Sequence, residues 1–145
     1  MSKAISMPKA KRILTVSWFA LGGVIILVVF VQTLTGYYGD KASEAVGWLS
    51  ANVLPSLSLI IGVLVTDVQG KGTKTKSVER FLFVLTLVLS LAYLLSVTSV
   101  ILIAPLVQTP SLSLMKTSSL TLGIVQGLVT ACLGVFFSRG EPASE

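Results

Sequence analysis

The chain has 145 residues, 53% of them apolar and only 12% charged, with a net charge of +5. A soluble domain carries about 25% charged residues, so a fold in water would leave far too much apolar surface exposed. Histidine is absent and cysteine occurs once, at Cys132, which excludes haem axial histidines, histidine zinc sites, histidine general bases, cysteine-rich metal centres and an intramolecular disulfide.

Four long apolar stretches fill most of the chain: Ile13–Val31, Ala45–Val65, Phe81–Ala104 and Ser118–Phe137. About 20 residues at about 1.5 Å each cross a hydrocarbon core of ~30 Å. The expected fold class is an all-α membrane protein, with four transmembrane helices in a compact bundle and no soluble domain. The expected division is a basic tail over 1–12, a transmembrane domain over 13–137 and a tail over 138–145. Within that domain the spans fall at about 13–34, 45–66, 81–104 and 116–137, with a loop over 67–80.

Lys3, Lys9, Lys11 and Arg12 precede the first span. Its apolar run of 19 residues exceeds the ~7–15 of a signal-peptide core. No A-x-A cleavage pattern follows in Gln32–Tyr38, so the first stretch is read as a retained helix. Pro8 is expected to break any earlier helix, leaving 1–12 as a leader. Ser2 stands where N-myristoylation needs glycine. Gly36, Gly39 and Asp40 then form a turn. Tyr37, Tyr38 and Trp48 cluster around it, and their amphipathic rings suit a headgroup layer.

Span two carries Asn52 and Pro55. Pro55 cannot donate to the carbonyl of Ala51, so the helix loses a hydrogen bond there and is expected to bend. Asn52, Ser56 or water is expected to satisfy the freed carbonyl. The alternative is that Asn52 and Ser56, four apart on one face, line a polar cavity. The loop that follows is basic, with Lys71, Lys74, Lys76 and Arg80 placed to touch lipid headgroups or a cytoplasmic protein. Its Gly70-Lys71-Gly72-Thr73 lacks the spacing and preceding strand of a phosphate loop. Ser77 is expected to cap span three, with Glu79 in its first turn.

In span three, Thr86, Ser90 and Tyr93 share one face, and Ala92, Ser96 and Ser99 share another. The turn after Pro105 is expected to run to about Leu114. In span four, Ser119, Gly123, Gly127 and Ala131 recur every four residues. Such a small-residue row lets two backbones approach closely, within the bundle or between subunits. Gln126 lies beside the row and needs a partner: another Gln126 across a symmetry axis, or a Ser or Thr of span three. Cys132 is read as an inert buried small residue.

Nine of the eleven basic residues lie before span one, between spans two and three, or after span four. The positive-inside rule then puts both termini and the middle loop in the cytoplasm, in a membrane read as a bacterial inner (plasma) membrane. These charges are topology signals, and no nucleic-acid partner is expected. No cofactor, metal or catalytic residue is expected, because no ionisable group lies deep in a span. Small four-span multidrug exporters compare only in length and span count. They depend on a membrane-embedded glutamate in the first span, and none is present here. A small transporter is therefore the least favoured reading. Two classes remain. The preferred one is a scaffold or subunit of a membrane complex, acting by helix packing as a homo-oligomer or with another membrane protein. The other is an oligomeric pore or membrane-perturbing effector, for example of a bacterial defence or toxin system. Such a pore would be lined by Asn52, Ser56, Ser96, Ser99 or Gln126, since hydroxyl and amide linings can pass water or ions without fixed charge.

Overall fold

The computed structural model describes residues 5–69, 77–106 and 110–138. Among them, four helices are long and apolar enough to cross a membrane. They are α1 (Met7–Leu34), α2 (Ala42–Gln69), α3 (Arg80–Ile103) and α4 (Ser111–Ser138). Two residues before α1, β1 (Ile5–Ser6), pair antiparallel with β2 (Ser77–Val78), in register Ile5 to Val78 and Ser6 to Ser77. The start of the described chain is thereby tied to the segment entering α3.

α1 begins earlier than expected. Pro8 occupies its first turn, where the missing N–H would have lacked an intrahelical partner anyway. Proline here starts a helix rather than breaking one, so Met7–Arg12 belongs to α1. α4 likewise begins at Ser111 rather than near residue 116. The Pro110 carbonyl accepts from the N–H groups of Ser113 and Leu114. The polar residues that follow keep helical geometry by turning their hydroxyls onto their own helix, as Thr117 does on Ser113 O at 2.9 Å. Ser77 does not cap α3. It lies in β2, and Glu79 is the N-cap residue, without a side-chain cap bond. Residues 107–109 of the α3–α4 turn, the loop lysines Lys71, Lys74 and Lys76, and the tail from Arg139 lie outside the described residues.

α3 packs on α4, α4 on α2, α2 on α1 and α1 on α3, closing a ring. Consecutive helices alternate in direction, so α2 and α4 run parallel. At the end that holds the α1–α2 turn, Glu44 and Lys116 pair at 2.9 Å, and the hydroxyls of Tyr37 and Ser111 meet at 2.7 Å. The turn uses Gly36 and Gly39 at positive φ. Tyr38 beside them donates to Gln32 Oε1 at 2.6 Å, and burial pushes its phenol up to about 12, keeping it a donor.

The core contains Leu14 and Trp18 of α1, Val53 and Ile60 of α2, Leu94 of α3, and Leu133 of α4, all fully buried. Phe136 packs on Phe83 of α3 and on Phe137, with ring centroids 6.3 and 5.2 Å away. Phe137 in turn lies under the Lys11 ammonium of α1, 5.8 Å from the ring centre. The outer surface is apolar as well: Leu34, Phe81, Leu120 and Ile124 are each at least 70% exposed. Phe136→Ala is expected to destabilise the bundle by about 3–5 kcal/mol, while Phe81→Ala on the outer surface stays within about 0.5 kcal/mol. Equilibrium unfolding of both variants in mixed micelles checks the contrast.

Candidate functional site at the Pro55 break

Pro55 lies inside α2 and leaves the Ala51 carbonyl without its helical donor. That carbonyl is met from outside the helix. Gln126 of α4 donates through Nε2 to Ala51 O at 3.1 Å and to Asn52 O at 3.3 Å. From α3, the Tyr93 hydroxyl donates to Asn52 O at 2.7 Å and lies 3.2 Å from Asn52 Oδ1. Asn52 Nδ2 donates to Trp48 O at 2.8 Å, one turn back on its own helix. Trp18 of α1 completes the junction, its ring centroid 6.2 Å from that of Tyr93. All four helices therefore meet within about one turn of the break. The junction offers neutral hydrogen bonding from amide, phenol, indole and hydroxyl groups.

Asn52 and Ser56 share a buried face of α2, 5% and 0% exposed. Neither satisfies the freed carbonyl. Asn52 Nδ2 is committed to Trp48, and Ser56 Oγ has no partner. Gln126 takes the role instead, so within the chain its amide meets the backbone of α2 rather than a hydroxyl of span three. A glutamine on a neighbouring helix has the reach to bond a carbonyl that its own helix cannot use.

Thr86, Ser90 and Tyr93 all point inward and are fully buried. Ser96 and Ser99 do not join Asn52 and Gln126. They lie on the exposed face of α3, each hydroxyl turned back 2.8 Å onto a carbonyl of its own helix, Ala92 O and Leu95 O. Within the single chain the five polar residues therefore do not share one face. Trp48 is buried rather than placed at the rim, 8% exposed. Cys132 is half-buried, and Arg80 is exposed at the first position of α3.

Gly123, Gly127 and Ala131 face outward, with Ser119 half-buried beside them. A Cβ built at Gly123 or Gly127 would meet nothing within 4 Å, so the row is not a seam of this bundle. It has a counterpart on α2 that the reading of span two overlooked. Gly47, Ala51, Pro55, Ser58 and Gly62 are all exposed, at spacings of three and four, and Gly47 and Gly62 are open in the same sense. The Gln126–Ala51 bond marks the flank of each helix that meets the other. Helical spacing puts both rows on those flanks. Because α2 and α4 run parallel, the rows lie side by side, and the strip of exposed surface between them, beside Gln126, is called the outward groove below. The every-fourth-residue spacing that reveals the row in span four was available in span two as well.

At the end that holds the α1–α2 turn, a separate hollow of about 720 Å³ lies between Tyr37, Tyr38, Lys41, Pro105, Pro110 and Lys116. Comparison with family models, with curated proteins and with solved structures found no match to this chain. The functional reading accordingly rests on the geometry.

The junction makes a coupled prediction. Gln126→Leu orphans the Ala51 carbonyl and is expected to cost about 1–3 kcal/mol. In a Pro55→Ala background residue 55 regains its N–H, and the same substitution should cost markedly less. A double-mutant cycle on unfolding free energies measures the difference. Equal costs in the two backgrounds would show that Gln126 does not serve the break.

Proposed function

We propose that this chain is an integral membrane protein acting by helix packing, as a scaffold or subunit of a membrane complex, without catalytic activity. The observation that carries this reading is the groove between α2 and α4. A Cβ built at Gly47 or Gly62 on one wall, or at Gly123 or Gly127 on the other, would meet nothing within 4 Å among the described residues. In lipid, apolar side chains gain little by leaving acyl chains for one another. Close backbone approach at small residues is what drives helices together. A helix of a second copy, or of another membrane protein, fits that description. The basic stretch over 67–80 is the surface we assign to lipid headgroups or to a cytoplasmic partner protein.

The polar groups support packing over conduction. Asn52 and Gln126 both donate to backbone carbonyls of α2. Ser96 and Ser99, the other candidates for a lining, sit on the outer face. We place the chain in a bacterial inner membrane with both termini and residues 67–80 in the cytoplasm, on the distribution of basic residues.

Three measurements test these assignments. Gly127→Leu and Gly47→Leu should each weaken assembly about tenfold in liposome energy-transfer or cross-linking assays. Val88→Leu, on the exposed face of α3, should leave it unchanged. A parent protein that is monomeric in its native membrane would reject the packing role. Reporter fusions at Gly39 and at Glu79 should lie on opposite sides, the first outside. Reproducible conductance of the parent protein in planar bilayers, reduced by Asn52→Leu with assembly intact, would replace the packing reading with the pore.

A further inference from the structure

One turn from the junction, toward the end that holds β1 and β2, lie buried polar atoms that no group among the described residues satisfies. Ser56 follows Asn52 by four on α2, and Ser90 precedes Tyr93 by three on α3. The two helices run in opposite directions, so both steps lead toward the same end of the bundle. Each serine is 0% exposed, and neither hydroxyl has a hydrogen-bond partner. Trp18 of α1, also 0% exposed and set against Tyr93, holds its Nε1 unpartnered. Thr15 Oγ1, about one turn earlier on α1, is unpartnered and buried too.

Elsewhere the hydroxyls of these helices bond the carbonyl one turn back, as Thr86 does on Leu82 O, Thr98 on Leu94 O and Ser50 on Val46 O. Ser56 is denied that solution. Its carbonyl one turn back, Asn52 O, is already crowded, since it accepts from Tyr93 and Gln126 on the neighbouring helices. The device that repairs the Pro55 break thus displaces the Ser56 hydroxyl. A buried donor left unmade carries its full desolvation cost. Native proteins meet such groups with ordered water that makes two to four bonds.

We propose that the bundle encloses a hydration site bounded by Ser56 of α2, Ser90 of α3 and Trp18 of α1, with Thr15 beneath, holding ordered water. Water is the ligand whose chemistry fits. The hydroxyls need a partner that both donates and accepts, whereas the indole N–H needs only an acceptor and repels a cation. The bound water ties α1 into the polar network that otherwise joins α2, α3 and α4. The site is interior and distinct in place from the outward groove.

The experiment uses the full chain in micelles and the variants Ser56→Ala, Ser90→Ala and their combination. With water shared between the hydroxyls, each single change lowers the thermal midpoint by a few degrees. The pair lowers it by less than the two together, because the first change already releases the water. A rise in midpoint for either single variant would mean a dry, unsatisfied hydroxyl and would overturn the proposal. Strictly additive losses would mean hydroxyls bonded separately, with the same consequence. A second readout does not depend on those variants folding. Trp48→Phe leaves Trp18 as the only indole, and its N–H should show a nuclear Overhauser cross-peak to water. That cross-peak should vanish in the doubly substituted chain. Its absence from the Trp48→Phe protein itself would also overturn the site.

Discussion

A proline inside a helix removes one donor and leaves one carbonyl, and in this bundle the arrangement of the helices follows from how that carbonyl is answered. Ala51 O lies on the exposed flank of α2, and in the membrane we propose for the chain no water would reach it there. Its donor has to come from a side chain long enough to cross from another helix, and Gln126 fixes the axial register of α4 against α2 by doing so. Tyr93 closes on the next carbonyl from α3, and Trp18 lies against Tyr93 from α1. Each neutral bond contributes only about 1 kcal/mol net. The penalty for leaving the groups unpaired is larger than that gain, so the network acts chiefly by making other registers expensive. The Glu44–Lys116 pair marks the same α2–α4 register nearer the turn. It is largely exposed, Lys116 at 72% and Glu44 at 42%, and contributes little energy.

The apolar runs made the four helices legible, because length and composition alone satisfy the spanning requirement. Their ends were less legible, for a physical reason. Hydropathy reports where polar residues begin, whereas a helix ends where its backbone runs out of partners. Pro8 fits a first turn, and the Ser and Thr residues after Pro110 recycle their hydroxyls onto their own helix, so α1 and α4 both extend beyond the apolar stretches. Periodicity separated two polar faces of α3 but could not say which was inward. The face with Tyr93 turned in and the one with Ser96 and Ser99 turned out. The partner of Gln126 was out of reach of sequence reasoning. It depends on the mutual register of two helices some 74 residues apart, and nothing local encodes that.

The junction and the outward groove are linked through the same helix flank. Ala51 takes the Gln126 bond and also belongs to the row of small residues facing out. Had α2 carried large side chains on that flank, Gln126 could not have reached the backbone. The small residues that admit the glutamine therefore also leave the surface bare. In the membrane we propose for the chain, the exposed leucines and valines on the other faces are as well solvated by acyl chains as by protein. They give no reason for a partner to bind. The α2–α4 flank differs because two parallel backbones are open along it at the same level, so a third helix can approach both at once. A change at Pro55 that straightened α2 would shift Ala51, release Gln126 and reshape both walls of the groove. The interior polar network and the proposed docking surface are on this argument one mechanical unit, with the proline at its centre.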